Sequence, residues 1–332
     1  MKAIVWTAYG PPDVLQLREV AKPIPKDNEV LIRICATTVT AGDCEMRRMK
    51  PAMRYRLLMR LYVGLERPQR ITMLGMELAG EIEAVGRDVT RFQEGNQVFA
   101  ATGYVRTGAC AEYVCLPEEP EEGALAAKPA NMTYEEAAAV PMGGLEALSF
   151  VRQGSIQSGQ NVLINGAGGT IGTFAVQLAK YFGAEVTAVD SGEKLDMLRS
   201  IGVDHVIDYT QEDFTKRGQT YDFILDVVGK SSFAGSMRSL SPDGRYLLAV
   251  PGLSQKVRGR WASRTSNKKV TFGAAHPNTE DLLFFKNLIE EGEIRSVIDR
   301  CYPLEQTVEA HKYVETGQKT GHVVITVGHE AP

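Results

Sequence analysis

The chain lacks any run of about eighteen apolar residues, so no segment reads as a membrane-spanning helix. Its opening, MKAIVWTAYGPP, carries one lysine and an apolar run that stops at Trp6, which is too short for a secretion signal and reads as a strand. An excess of positive charge is also missing. With 37 Lys and Arg against 41 Asp and Glu the formal net charge is -4, which argues against nucleic acid as the main partner. Cysteine is scarce: Cys35, Cys44, Cys110, Cys115 and Cys301 make an odd count with no Cys-x-x-Cys pair. Reduced, mostly buried thiols and a cytoplasmic location are expected, with neither nucleic acid nor membrane as a partner.

What is present divides into two kinds of text. At 332 residues the chain suits two cores rather than one. Up to about residue 126 it consists of short β-type runs broken by Gly and Pro, among them EVLIRICATTV, ELAGEIEAVG, QVFAATG and ACAEYVCLP. A compact β barrel or sandwich is expected there. From 127 to 270 strands alternate with helical spacing: NVLIN, then Ile171, Phe174, Leu178 and Phe182, then EVTAVD, HVIDY, FILDVV and RYLLAV. That alternation predicts an α/β domain with a doubly wound parallel sheet, whose ligands bind at the carboxyl ends of the strands. Residues 271–332 add two helices and two strands and close on HVVITV.

Gly166-Ala167-Gly168-Gly169-Thr170-Ile171-Gly172 lies between the strand NVLIN and the helix after it. A helix N-terminus offers unpaired N–H groups and a positive dipole end to a pyrophosphate, and glycines let the backbone approach it. Asp190 ends the next strand, about eighteen residues beyond Gly172 and close to the spacing of about twenty that places an acid at the adenosine ribose. Its charge would oppose a 2′-phosphate and favour NADH. Lys194 and Tyr209, beside Ser191, could instead receive that phosphate, so NADPH and NADH both stay open.

The whole chain resembles the medium-chain dehydrogenase/reductase superfamily, and within it the zinc-free quinone oxidoreductase, zeta-crystallin-like branch. The resemblance rests on EVLIRICATTVTAGD, GMELAGEIEAVG, GACAEYV, AAAVPMGGLEAL, NVLINGAGGTIGTFAVQLAK, DHVIDYTQEDF and TGHVVITV, which run in family order from residue 1 to 328. It implies a GroES-like β-barrel catalytic domain built from residues 1–126 and 271–332, with a Rossmann domain over 127–270 between them. Zinc-dependent members bind catalytic zinc through two Cys and one His. Here the first Cys position is Thr40, and the Gly-His-Glu motif reads Gly75-Met76-Glu77. Neither Thr nor Met replaces a thiolate or an imidazole, and no histidine stands near Cys35 or Cys44 in the sequence, so no zinc is expected.

Without a Lewis acid, a substrate that delocalises the incoming charge is the easier one. The resemblance therefore implies NAD(P)H-dependent reduction of quinones or α,β-unsaturated carbonyls. A zinc-free alcohol or aldehyde dehydrogenase, or a dinucleotide-binding scaffold or redox sensor with little turnover, are the other readings. Thr40-Ala41-Gly42-Asp43 occupies the place where relatives often carry Asn-x-x-Asp, which makes Thr40 and Asp43 the candidate catalytic pair. By the same match Val228 and Pro251 are expected at the nicotinamide ribose, and Glu146 stands where relatives often have Thr. A homodimer is the one assembly under consideration. The basic stretch 47–70 reads equally as a lid over the substrate or as a surface helix, and the run Arg258 to Lys269 reads as a solvated loop.

Overall fold

A computed structural model describes residues 1–49, 54–103, 108–273 and 275–329, with backbone only for 54–58. The chain divides into two compact units. One comprises Met1–Met142, Pro277–Glu290 and Ser296–Pro332; the other comprises Gly143–His276 and Glu291–Arg295.

The first unit opens with a hairpin of β1 (Lys2–Trp6) and β2 (Leu15–Glu19), followed by β3 (Glu29–Thr38), α1 (Ala41–Arg48) and α2 (Arg54–Val63). Then come β4 (Glu77–Val85), β5 (Gln97–Ala101), β6 (Tyr113–Pro117), β7 (Ala124–Ala127) and α3 (Tyr134–Ala138). Alternation in β3 and β4 sends Val30, Ile32, Ile34, Leu78 and Ile82 into one core. A capping box between Thr133 and Glu136 starts α3. Because α3 packs on β3 and β4, this unit runs past the change of grammar near residue 127.

The second unit contains α4 (Pro141–Gly154) from Gly143 onward, then β8 (Asn161–Asn165), α5 (Thr170–Tyr181), β9 (Glu185–Asp190), α6 (Leu195–Ser200) and β10 (His205–Asp208). It continues with β11 (Tyr221–Asp226), α7 (Phe233–Arg238), β12 (Leu240–Leu248), α8 (Leu253–Thr265) and β13 (Lys269–Phe272). The six strands are parallel in the order β10-β9-β8-β11-β12-β13, so the winding reverses between β8 and β11. The basic run read as a solvated loop is mostly helix: α8 covers Arg258 to Arg264.

The chain then returns to the first unit as α9 (Thr279–Glu290), β14 (Ile298–Pro303), α10 (Thr307–Glu315) and β15 (His322–Thr326). There β15 pairs antiparallel with β3 and carries β14 beside it, which completes a seven-stranded sheet from both ends of the chain.

Within the basic stretch, Lys50–Met53 lie outside the described residues, as do the side chains of Arg54, Arg56, Leu57 and Leu58. Farther along α2, Val63 is buried and the Arg60 guanidinium lies 4.1 Å from the centre of the Tyr9 ring. Leu61 and Tyr62 are exposed.

Candidate functional site

The glycine loop connects β8 to α5 beside the point where the winding reverses. Gly169 is the N-cap of α5, in extended backbone. The N–H groups of the first turn have no carbonyl behind them within the helix, and with the positive end of the helix dipole they suit an anion. A Cβ on Gly169 would find only the Gly166 carbonyl, at 3.6 Å, so the space over the helix end is open. Gly172 is different: a Cβ there would stand 2.3 Å from the Gly166 oxygen, so this glycine is needed for the helix to pack on the loop.

Asp190 is buried at the end of β9. Its Oδ2 accepts the Gly168 N–H at 2.7 Å, and its Oδ1 accepts the Ser191 N–H at 2.9 Å and faces Lys194 Nζ at 3.3 Å. The carboxylate thus braces the glycine loop and holds the lysine beside it. Tyr209, 61 % exposed, follows β10, and its N–H donates to the Asp190 carbonyl.

Asp226 closes β11 across the switch point from Asn165. Its Oδ1 accepts from the Asn165 side chain at 3.0 Å and from the Val228 and Gly229 N–H groups at 3.2 and 2.8 Å. Its Oδ2 accepts from the Ser231 hydroxyl and, at 3.1 Å, from the Tyr246 hydroxyl. Burial, with this carboxylate close by, pushes the Tyr246 phenol up to about 12. Five donors on one carboxylate fix the turn that leaves Val228 exposed, while Pro251 follows β12 and is half-buried. The sequence reading named Val228 and Pro251 here and missed Asp226 as the organiser of the turn.

In the first unit, Thr40 and Asp43 form a capping box at the start of α1. The Thr40 hydroxyl donates to Asp43 Oδ2 at 2.6 Å and accepts the Asp43 N–H at 3.1 Å. Asp43 Oδ2 also takes the Thr40 N–H at 2.9 Å, and its Oδ1 takes the Gly75 N–H at 3.1 Å. Asp43 is fully buried and Thr40 half-buried; burial raises the Asp43 carboxyl above the usual aspartate range, against the pull of these donors. Nearby, buried Glu77 accepts the Thr38 hydroxyl and, at 2.7 Å, the Met142 N–H.

These residues do not fit a catalytic zinc. Thr40 is committed to its cap, and Met76 is buried with its methyl end against Gly42 of α1. The expectation that no histidine accompanies Cys44 needs correction: His311 of α10 places Nδ1 3.3 Å from Cys44 Sγ. The two stand 267 positions apart, so no spacing in the sequence could show the pair. Burial lifts the Cys44 thiol to about 12 and lowers His311 to about 3, so both are neutral. Among the described residues no three of His, Cys, Asp and Glu gather as a metal-holding group.

A switch-point sheet with a glycine loop, joined to a barrel drawn from both chain ends, defines a dinucleotide-dependent oxidoreductase. Comparison with known proteins makes this specific. Residues 26–129 match the alcohol dehydrogenase GroES-like domain, and residues 201–325 match the zinc-binding dehydrogenase family. The chain is 32% identical over 336 residues to 2-methylene-furan-3-one reductase of Solanum lycopersicum, covering 98% of this chain and 79% of that one. It is 30% identical to the chloroplastic quinone-oxidoreductase homolog of Spinacia oleracea, covering 98% of each. The quinone oxidoreductase structure from Coxiella burnetii superposes with a TM-score of 0.87 at 28% identity, over 99% of both chains. The chain belongs to the medium-chain dehydrogenase/reductase superfamily, among its quinone oxidoreductase-like members. It is an oxidoreductase that uses a nicotinamide cofactor and a small-molecule substrate.

Proposed function

We propose that the protein reduces quinones or α,β-unsaturated carbonyls with NADPH or NADH, and does so without zinc. The observation that carries this reading is the donor set at Thr40 and Met76. It offers no thiolate and no imidazole where an alcohol-oxidising relative would need a Lewis acid. Quinones and enones need less help, because the oxygen that gains charge is conjugated to the carbon or ring that receives the hydride. The furanone and quinone in the names of the tomato and spinach relatives belong to these two substrate classes.

The bound nicotinamide would supply the hydride. The loop Gly166 to Gly172 would hold the pyrophosphate on the first-turn N–H groups of α5. Asp190, Ser191, Lys194 and Tyr209 would surround the adenosine ribose, and Val228 and Pro251 the nicotinamide ribose. Thr40 is assigned to the substrate oxygen. A carbonyl oxygen only accepts, so the hydroxyl can serve it only by donating, which requires releasing Asp43 Oδ2. Asp43 is then a positioning residue, whose buried carboxyl decides which way the Thr40 proton points.

The test is turnover, followed through nicotinamide absorbance with each cofactor against a panel of quinones, enones and saturated alcohols. Reduction of the first two classes, unchanged by a chelator, is expected. Turnover of saturated alcohols that disappears on chelation would overturn the reading, and so would cofactor binding with no turnover of any substrate.

A further inference from the structure

Helix α8 carries on its outer face a set of side chains that the core does not use. Leu253, Val257 and Trp261 recur every four residues and are 78, 62 and 69 % exposed. Lys256, Arg260 and Arg264 recur at the same interval and are exposed as well. At about 100° per residue the two rows lie side by side on one half of the helix. The other half is packed: Gly259 lies against Val270 and Phe272, and the Ser263 hydroxyl accepts the Val270 N–H at 2.8 Å. The helix is therefore fixed to the edge strand β13 with its mixed face turned outward.

The charge of the segment that carries this face has one sign. Residues 244–279 hold seven Lys and Arg and no Asp or Glu, in a chain whose net charge is -4. Arg258 stacks over Phe233 at 4.6 Å, and Lys268 donates to the Met237 and Leu240 carbonyls. Lys256, Arg260 and Arg264 have no carboxylate partner among the described residues.

We propose that this face of α8 docks on an anionic lipid bilayer, with Leu253, Val257 and Trp261 entering the interface and the cations beside them meeting headgroups. Charge and shape favour this occupant over two others. A second copy seated symmetrically on α8 would set these cations against their own equivalents, with no acid on the helix to offset them. A nucleic acid would take the arginines and leave Leu253 and Val257 in water. The sequence reading expected no membrane partner, because the two rows become visible only when the segment is a helix.

The experiment is co-sedimentation of the whole protein with vesicles of phosphatidylcholine alone, or of phosphatidylcholine with phosphatidylglycerol. Binding to the anionic vesicles alone is expected, with Trp261 emission shifted to the blue and quenched by brominated acyl chains. Trp6, 1 % exposed, should not respond. Arg260→Gln with Arg264→Gln should weaken binding about twenty-five-fold, at roughly fivefold per cation, and Trp261→Ser should abolish the spectral shift. Three results from the vesicle and solution measurements would overturn the proposal. These are no binding to anionic vesicles at low salt, binding that the double variant leaves unchanged, or a dimer in solution that Trp261→Ser dissolves. Binding of duplex DNA or an acidic protein through α8, with none to vesicles, would overturn it equally.

Discussion

Acid should destabilise the first unit through two histidines that folding keeps neutral. His311 and His322 are buried and lowered from the ordinary 6.5 to about 3. For His311 the main cause is burial, with the Arg47 guanidinium adding to it; for His322 it is burial with Lys319 nearby. The unfolded chain takes up both protons below pH 6.5, whereas the folded chain stays unprotonated down to about 3. Stability is therefore fully present above that window and lost as pH falls through it. The slope is about 1.4 kcal/mol per pH unit for each histidine, or about 2 kcal/mol each by pH 5. Against a typical total of about 5 to 15 kcal/mol this is a large share. Asp43 works the other way: its raised carboxyl takes up a proton earlier in the folded state and recovers stability at lower pH. The assay is urea unfolding between pH 7.5 and 5 in a Trp261→Phe background, where Trp6, buried in the first unit, is the only remaining tryptophan. His311→Gln should remove one histidine's share of the slope, whatever it does to stability at neutral pH. A parent protein whose stability is flat over this range, or a variant with an unchanged slope, would refute the reasoning.

Three further outcomes are expected. Gly169→Val should melt within a few degrees of the parent apoprotein, at a capping cost of about 1 kcal/mol, yet show no thermal shift with either cofactor; Gly172→Val should lower stability itself, and equal behaviour of the two would remove the phosphate assignment. Asp190→Ser should free Lys194 and improve NADPH relative to NADH, tenfold for about each 1.4 kcal/mol gained, with Lys194→Ala reversing the gain, and an unmoved ratio in titrations would take Asp190 away from the ribose. Asp43→Asn should cost about 1 to 3 kcal/mol, because Thr40 and Gly75 both lose a charged acceptor, and calorimetry showing no loss would contradict the buried cap.

The second unit was the more legible of the two in sequence. Its strands are short buried runs separated by helices, so both the alternation and the glycine loop appear in one local reading. Asp190 was singled out by its spacing, but its bond to Gly168 depends on how the loop folds back and has no signature along the chain. The Thr40–Asp43 spacing is that of a capping box as well as that of a catalytic pair, and the sequence reading saw only the second. Helix α8 was read as a loop because its apolar residues face outward, so its periodicity points to no core. The Cys44–His311 pair joins α1 to α10, and no local pattern can anticipate it.

The pairing of β15 with β3 also sets an order of events during synthesis. Residues 143–276 are continuous in the chain and carry all six strands of their sheet, so of that unit only Glu291–Arg295 are still to come once they have emerged. The first unit has to wait. Ala36 to Thr38 of β3 take their antiparallel partners from Val324 to Thr326, which are made only after the whole of residues 143–276. Until then the outer side of the end of β3 is an unpaired edge of residues that are all buried in the finished fold, the kind of surface on which other chains pair. The interval between making residue 38 and residue 326 is thus the period in which this protein is most exposed to aggregation, and slowing elongation there should lower its soluble yield.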